Sequence, residues 1–330
     1  MKKIFPLWAV AAMLLLTACY HDQHELQPNQ YDGKPVGYLT PLLLWDDPAD
    51  AGTTTTINDI RFTVSGTGGT TVANRFNNTE SAADWLQQLP VGEYDLLVTA
   101  DMDEAHGYLL QNVGTDTRSM TRADEAFHTA LPDTRVSLAE PSSSPAQSWY
   151  AVTHATVKED EIAVAEFHLQ RLLSEISVIV SNVPTGAAIT ASVECVARDV
   201  LLTHRDGQGR YGVADREDYI TVSLGALAAD PADAATLRHD DHTLMPTAGG
   251  QPRCYLSLAV TTPDGTPLTY LADAPRMECG RTYVVELDYT KLRPYMLLEA
   301  FTINDWTDGW AITGEITDPT PSPSPVMGGE

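Results

Sequence analysis

Basic residues are scarce: 20 Lys and Arg stand against 45 Asp and Glu in 330 residues, a formal charge of −25. Clustered Lys and Arg are what grip a phosphate backbone or an anionic bilayer. The shortage excludes nucleic acid as a partner and opposes membrane binding through a basic face. Cysteine is rare too, with 4 residues and no Cys-x-x-Cys spacing, so a zinc or dithiol redox motif is not expected. No apolar run reaches the ~20 residues of a membrane span. Gly-x-Ser-x-Gly, His-Glu-x-x-His, P-loop and dinucleotide fingerprints are all missing, which leaves no expected catalytic residue, metal site or cofactor. What remains is a chain with 43% hydrophobic residues, enough to fold, and a length that suits two domains of roughly 150 residues.

The N-terminus reads as an address. Lys2-Lys3 is followed by an apolar run from Ile4 to Leu16, broken by Pro6, and then by Leu16-Thr17-Ala18-Cys19. A charged start, a short apolar segment and small residues before a cut describe a secretory signal. Leu-Thr-Ala-Cys resembles a bacterial lipobox, which implies acylation of Cys19 and an outer-membrane lipoprotein, with palmitate-type chains holding it at the cell surface. Each buried CH₂ adds about 0.8 kcal/mol, so two or three chains anchor where one does not. Removing residues 1–18 takes away Lys2 and Lys3 and no acid, so the 20 basic residues become 18 against 45 and the mature charge is −27. Residues 19–35 are polar and aperiodic and read as a tether, with His21, Asp22, His24 and Glu25 as solvated linker rather than a metal site.

The body is built from strands. Runs such as Val36–Trp45, Ile60–Val64, Tyr94–Ala100, Ile162–Leu169, Glu175–Val180, Ile189–Val196, Tyr255–Val260 and Thr282–Tyr289 are rich in β-branched and aromatic residues, and several alternate with period two. Pro184-Thr185-Gly186, Asp206-Gly207-Gln208-Gly209, Gly249-Gly250 and Pro263-Asp264-Gly265 supply turns. Two stretches look helical, one starting at Ser81 and running through Leu89, the other an alanine-rich segment from Gly225 to Leu237 broken by Pro231. The expectation is all-β, with β-sandwiches.

Several motifs in fixed order resemble the lipoprotein fimbrillins and FimB-like fimbrial anchors of gut and oral anaerobes, the type V pilus family. After the lipobox comes a first strand ending in Leu44-Trp45-Asp46. Leu89-Pro90-Val91-Gly92-Glu93-Tyr94 then resembles the Leu-Pro-x-Gly-x-Tyr turn of transthyretin-like sandwich domains. Leu169-Gln170-Arg171 resembles the passage between two such domains, and Gly280-Arg281-Thr282-Tyr283 with Asp305-Trp306 the closing strands. Thr99-Ala100-Asp101 departs from the pattern, since many relatives place Asn after that strand. The resemblance implies two tandem transthyretin-like Greek-key sandwiches, over 36–171 and 172–312, ahead of a Pro/Ser-rich tail at 313–330. It also implies pilin subunits as partners, joined by strand addition. Shaft pilins of the family lose their first strand to an arginine-specific protease. No arginine lies between Cys19 and Ile60; Arg61 falls in a strand and Arg75 in an expected loop. That favours an anchor or accessory subunit over a shaft pilin.

Other candidates have bland readings. Arg238-His239-Asp240-Asp241-His242 is the best arrangement for metal or acid–base work, but reads as a solvated loop. Asp46-Asp47 with Asp50, and Asp101-Met102-Asp103-Glu104, lack EF-hand spacing. Cys195, Cys254 and Cys279 sit in strand-like surroundings and read as packing residues. The alternative function is glycan binding by a surface lipoprotein of a polysaccharide-uptake system. It would need exposed tryptophans among Trp45, Trp85, Trp149, Trp306 and Trp310, of which Trp306 and Trp310 sit four apart.

Overall fold

The computed structural model describes residues 31, 33–46, 57–66, 71–111, 131, 133–251, 254–292, 302–304 and 309–311. The segments from Met1 to Gln30 and from Ile312 to Glu330 lie outside the described residues. The acylation proposed at Cys19, the tether histidines and the Pro/Ser tail therefore have no structural counterpart here.

The chain is nearly all β, as its alternating runs predict. In the first half the strands are β1 (Val36–Trp45), β2 (Ile60–Gly66), β3 (Thr71–Phe76), β4 (Gln87–Pro90), β5 (Gly92–Ala100), β6 (Tyr108–Gln111), β7 (Arg135–Leu138), β8 (Trp149–Val157) and β9 (Ile162–Arg171), with one short helix α1 (Thr79–Ala83). Seven of them form a sheet in the order β3-β2-β5-β8-β9-β1-β4. Its two parts meet where Trp149 pairs with Arg171 and Tyr150 with Gln170, so the sheet folds over on itself as a sandwich. Leu39, Phe62, Trp85, Leu89, Leu96, Val98 and Phe167 fill the space between.

The second half holds β10 (Ser174–Ser181), β11 (Ala188–Ala197), β12 (Asp199–Arg205), β13 (Tyr211–Ala214), β14 (Tyr219–Ala226), β15 (Ala228–Asp230), β16 (Asp233–Leu244), β17 (Cys254–Thr261), β18 (Pro267–Ala274), β19 (Thr282–Asp288), β20 (Thr302–Asn304) and β21 (Gly309–Ala311). A sheet ordered β15-β16-β10-β19-β20-β21 packs on one ordered β14-β11-β17-β18. Both halves repeat one feature: β1 runs parallel to β9, and β10 runs parallel to β19. In each, the first strand is closed against a late one.

A fourth sheet, β13-β12-β7-β6, takes two strands from each side of Arg171. Arg135 of β7 reaches Asp199 of β12 at 3.3 Å and Asp215 at 3.4 Å. This shared sheet explains an oddity of the β5 sequence. Leu96, Leu97 and Val98 are all fully buried, without alternation. Leu96 and Val98 face the first core, while Leu97, with Tyr150 of β8, joins the second. A strand covered on both faces reads as a continuous apolar run.

Two helix expectations are corrected. The first helix ends at Ala83, and Gln87–Pro90, expected as its end and the turn after it, is β4, because four residues there ladder onto β1 from Val36 to Leu39. The alanine-rich 225–237 segment is no helix. It forms the end of β14, then β15 and the start of β16, turning at Pro231-Ala232, where Asp230 Oδ1 accepts from the Ala232 N–H at 2.7 Å. Helix propensity is a weak prior, and sheet pairing overrides it.

Candidate functional site

The feature that bears on a strand-docking role is β1 and what holds it. Leu39 points into the core with no exposed surface, Leu43 and Trp45 pack against that core from the same face, and the Trp45 ring meets Trp149 edge-on at 5.6 Å. The backbone is held on both sides. From Tyr38 to Trp45 the strand pairs with β9, and from Val36 to Leu39 with β4. Its start is clamped by the β8–β9 turn. Tyr38 N–H donates to the Glu161 carbonyl at 2.9 Å, Asp160 N–H donates to the Val36 carbonyl at 2.9 Å, and at Gly37 a Cβ would lie 2.0 Å from the Lys158 carbonyl. The helix α1 packs against β1, and past Leu39, Pro41 has no N–H to offer. A covering helix and an edge proline both blunt a sheet edge against unplanned pairing.

The outer face of the same two strands is less covered. Leu42, Ile162 and Val164, which share that face in the register of β1 with β9, are exposed by 37%, 38% and 54%.

Both arginines considered as cleavage points lie in ladders. Arg61 is in β2, flanked by β3 and β5. Arg75, expected in a loop, is in β3 opposite Arg61. Its guanidinium grips Asp59 and, at 2.6 Å, Asp103. Neighbouring Asp101 takes the Asn58 and Asp59 N–H groups at 2.8 and 2.9 Å. Asp101 and Asp103 thus tie sheet ends together. Burial pushes the Asp103 carboxyl up, but hydrogen bonds from His106 and the charge of Arg75 outweigh it and leave the group more acidic than usual.

The Leu-Pro-x-Gly-x-Tyr motif has a plain physical use. Tyr94 is buried on β5 and its hydroxyl donates back to the Pro90 carbonyl at 2.8 Å, fixing the turn between β4 and β5. The Leu169–Arg171 passage is equally tied. Leu172 and Leu173 are fully buried, Leu172 N–H donates to the Ser148 carbonyl at 2.9 Å, and Gln147 both receives from and donates to Leu173.

The remaining candidates separate. Asp206–Arg210 is a hairpin turn, as expected, with Asp206 Oδ1 accepting from Gln208 and Arg210 N–H. Cys195 and Cys254 are buried free thiols, and Cys279 is partly buried. Asp46 is described, while Asp47 and Asp50 are outside the described residues. Arg238–His242, expected as a loop, lies within β16. There the ladder with β10 shifts between His239 and His242, and Asp241 takes φ of 53°. His239 Nε2 and His242 Nδ1 come within 3.2 Å. His242 is buried, and its Nε2 has no hydrogen-bond partner. An unmet buried polar group costs about 1–3 kcal/mol. Burial, then the His239 charge, pull the His242 imidazole down to about 4. No group of three or more metal-ligating side chains exists among the described residues.

Over residues 52–308 the chain matches the family described as fimbrillin-A associated anchor proteins Mfa1 and Mfa2. No curated protein matches it in sequence. Among solved structures it is similar to a candidate adhesin from Bacteroides thetaiotaomicron, 12% identical, with a TM-score of 0.52 over 88% of this chain and 100% of that one. A candidate polysaccharide-binding protein from the same organism is 12% identical, with a TM-score of 0.51 over 85% and 100%. The fimbrial anchor protein Mfa2 from Porphyromonas gingivalis is 13% identical, with a TM-score of 0.45 over 83% and 98%.

Proposed function

Since the chain belongs to the family of fimbrillin-A associated anchor proteins, and is thus a fimbrial or adhesin-like protein of the cell envelope, we infer that it is an anchor or accessory subunit, not a polymerising shaft pilin. It is held in the outer membrane by acyl chains on Cys19, is not an enzyme, and receives a pilin by β-strand addition. The observation that carries this reading is where the arginines nearest β1 lie. β1 is locked between β9 and β4, and the nearest arginines, Arg61 and Arg75, are both laddered. An extended protease substrate must leave its sheet to be cut, so these positions suit a chain that keeps its N-terminal strand. Strand addition itself follows from unpaired N–H and C=O groups at any remaining sheet edge.

Mass spectrometry of the mature protein from its native membrane tests this directly. An acylated N-terminus at Cys19 is expected; a chain beginning just after Arg61 or Arg75 would make it a processed pilin. Cys19→Ala is expected to release the protein from membranes, and an affinity pull-down to recover a pilin.

The glycan-binding alternative receives less support. Trp85 and Trp149 are buried in the first core and Trp45 packs against it, so none of these three forms a sugar platform. The side chains of Trp306 and Trp310 lie outside the described residues.

A further inference from the structure

We propose that His239 and His242 form a two-imidazole site for a divalent metal of the nickel–copper–zinc class. In a regular strand, residues three apart face opposite sides of the sheet. Here the bulge at Asp241 inserts an extra residue against β10, so both rings turn to one side. Bulges recur where a strand must re-aim a side chain.

The two facing nitrogens are within hydrogen-bond distance of each other, and the same spacing suits a ligand pair in which a metal takes the place of the shared proton. Two imidazole nitrogens on one tetrahedral zinc, at about 2.0–2.1 Å each, stand about 3.4 Å apart. His239 Nε2 and His242 Nδ1 stand 3.2 Å apart, with ring centroids at 5.3 Å and planes inclined by 51°. Imidazole is a preferred ligand for zinc, copper and nickel. His242 is 6% exposed and its second nitrogen has no partner, so the pair is not part of a wider hydrogen-bonded network that would explain its placement. The adjacent carboxylates are already engaged: Asp240 holds Arg238 at 2.6–2.8 Å and Asp241 accepts from Ser177 at 3.3 Å. Water would have to fill the other coordination positions.

Metal-stripped full-length protein titrated with Ni²⁺ by calorimetry and equilibrium dialysis is expected to bind one equivalent that His239→Gln removes. The Cu²⁺ form is expected to show two coordinated imidazole nitrogens by electron paramagnetic resonance, falling to at most one in the same variant. Because His239 is the less buried of the two, His239→Gln should keep the native circular dichroism. If His239→Gln and His242→Gln, both folded, bind as much metal as the wild type, the metal sits elsewhere, for instance on His21 and His24, and the proposal fails. It also fails if the wild type binds none.

Discussion

The Tyr150 hydroxyl donates to the Tyr211 carbonyl at 2.9 Å, carrying a ring from β8 of the first sandwich onto β13 of the shared sheet. Gly212 makes room for it: a Cβ there would lie 2.0 Å from the Tyr150 hydroxyl, and its φ is 88°. Gly212→Ala is therefore expected to destabilise the protein by about 2 kcal/mol or more, through overlap and backbone strain together. Tyr150→Phe removes one hydrogen bond, about 1 kcal/mol. The double variant should cost less than the sum, because Phe removes the worst overlap, the hydroxyl at 2.0 Å, while the ring carbon Cζ at 2.7 Å from the new Cβ remains. Urea denaturation of the four proteins measures the cycle; strict additivity would show that the two residues do not meet.

Removing residues 19–46 takes away β1 and opens the edges of β9 and β4. The shortened chain is expected to aggregate, and a synthetic peptide spanning Val36–Trp45, added during refolding, to restore solubility with near-stoichiometric uptake. A peptide with Leu39→Asp should fail, since that side chain is fully buried and an unpaired buried carboxylate is strongly unfavourable. Size-exclusion chromatography with a labelled peptide reads both outcomes.

His242 gives a pH signature. Its folded value is pulled down to about 4 by burial and then by His239, below the ~6.5 of an unfolded histidine. Between those values the unfolded chain binds more protons, so stability falls as pH drops from about 6.5 to 4. Replacing His242 with Gln should flatten that part of the curve in chemical denaturation from pH 7 to 4, without altering the slope below it.

Arg75→Ala leaves Asp59 and Asp103 without their shared cation. A folded-state carboxyl more acidic than its unfolded form contributes stability above the unfolded value and loses it as pH falls through the folded one. The variant's deficit is thus expected to be present at neutral pH and to close in acid. Arg75 is about half exposed, so a loss under about 1 kcal/mol is the scale to look for.

The position of many strands along the chain was legible because half-buried strands alternate: β9, β10 and β19 lie where their sequence pattern puts them. What was not legible has physical causes. The shared sheet is made of short strands from distant segments, and nothing local tells Arg135 that its partners are Asp199 and Asp215. Alanines at 226–235 carry helix propensity that pairing overrides. The histidine pair was visible as a motif, but bringing residues three apart onto one face required a bulge at Asp241, and an aspartate does not announce a left-handed conformation. Arg75 looked like a loop residue beside Asn74 and Asn77, yet the ladder with β2 continues to Phe76.

The parallel run of β1 along β9 has a mechanical consequence. A pull entering ahead of Val36 and leaving through Arg171 toward β10 acts at opposite ends of the paired strands. Their inter-strand bonds are then sheared together and cannot be unzipped one at a time. The eight-residue register from Tyr38–Ile162 to Trp45–Leu169 shares the tension, and the same arrangement recurs where β10 lies along β19. Anything hauled from one end of this molecule while the other is held meets both ladders in their most resistant direction.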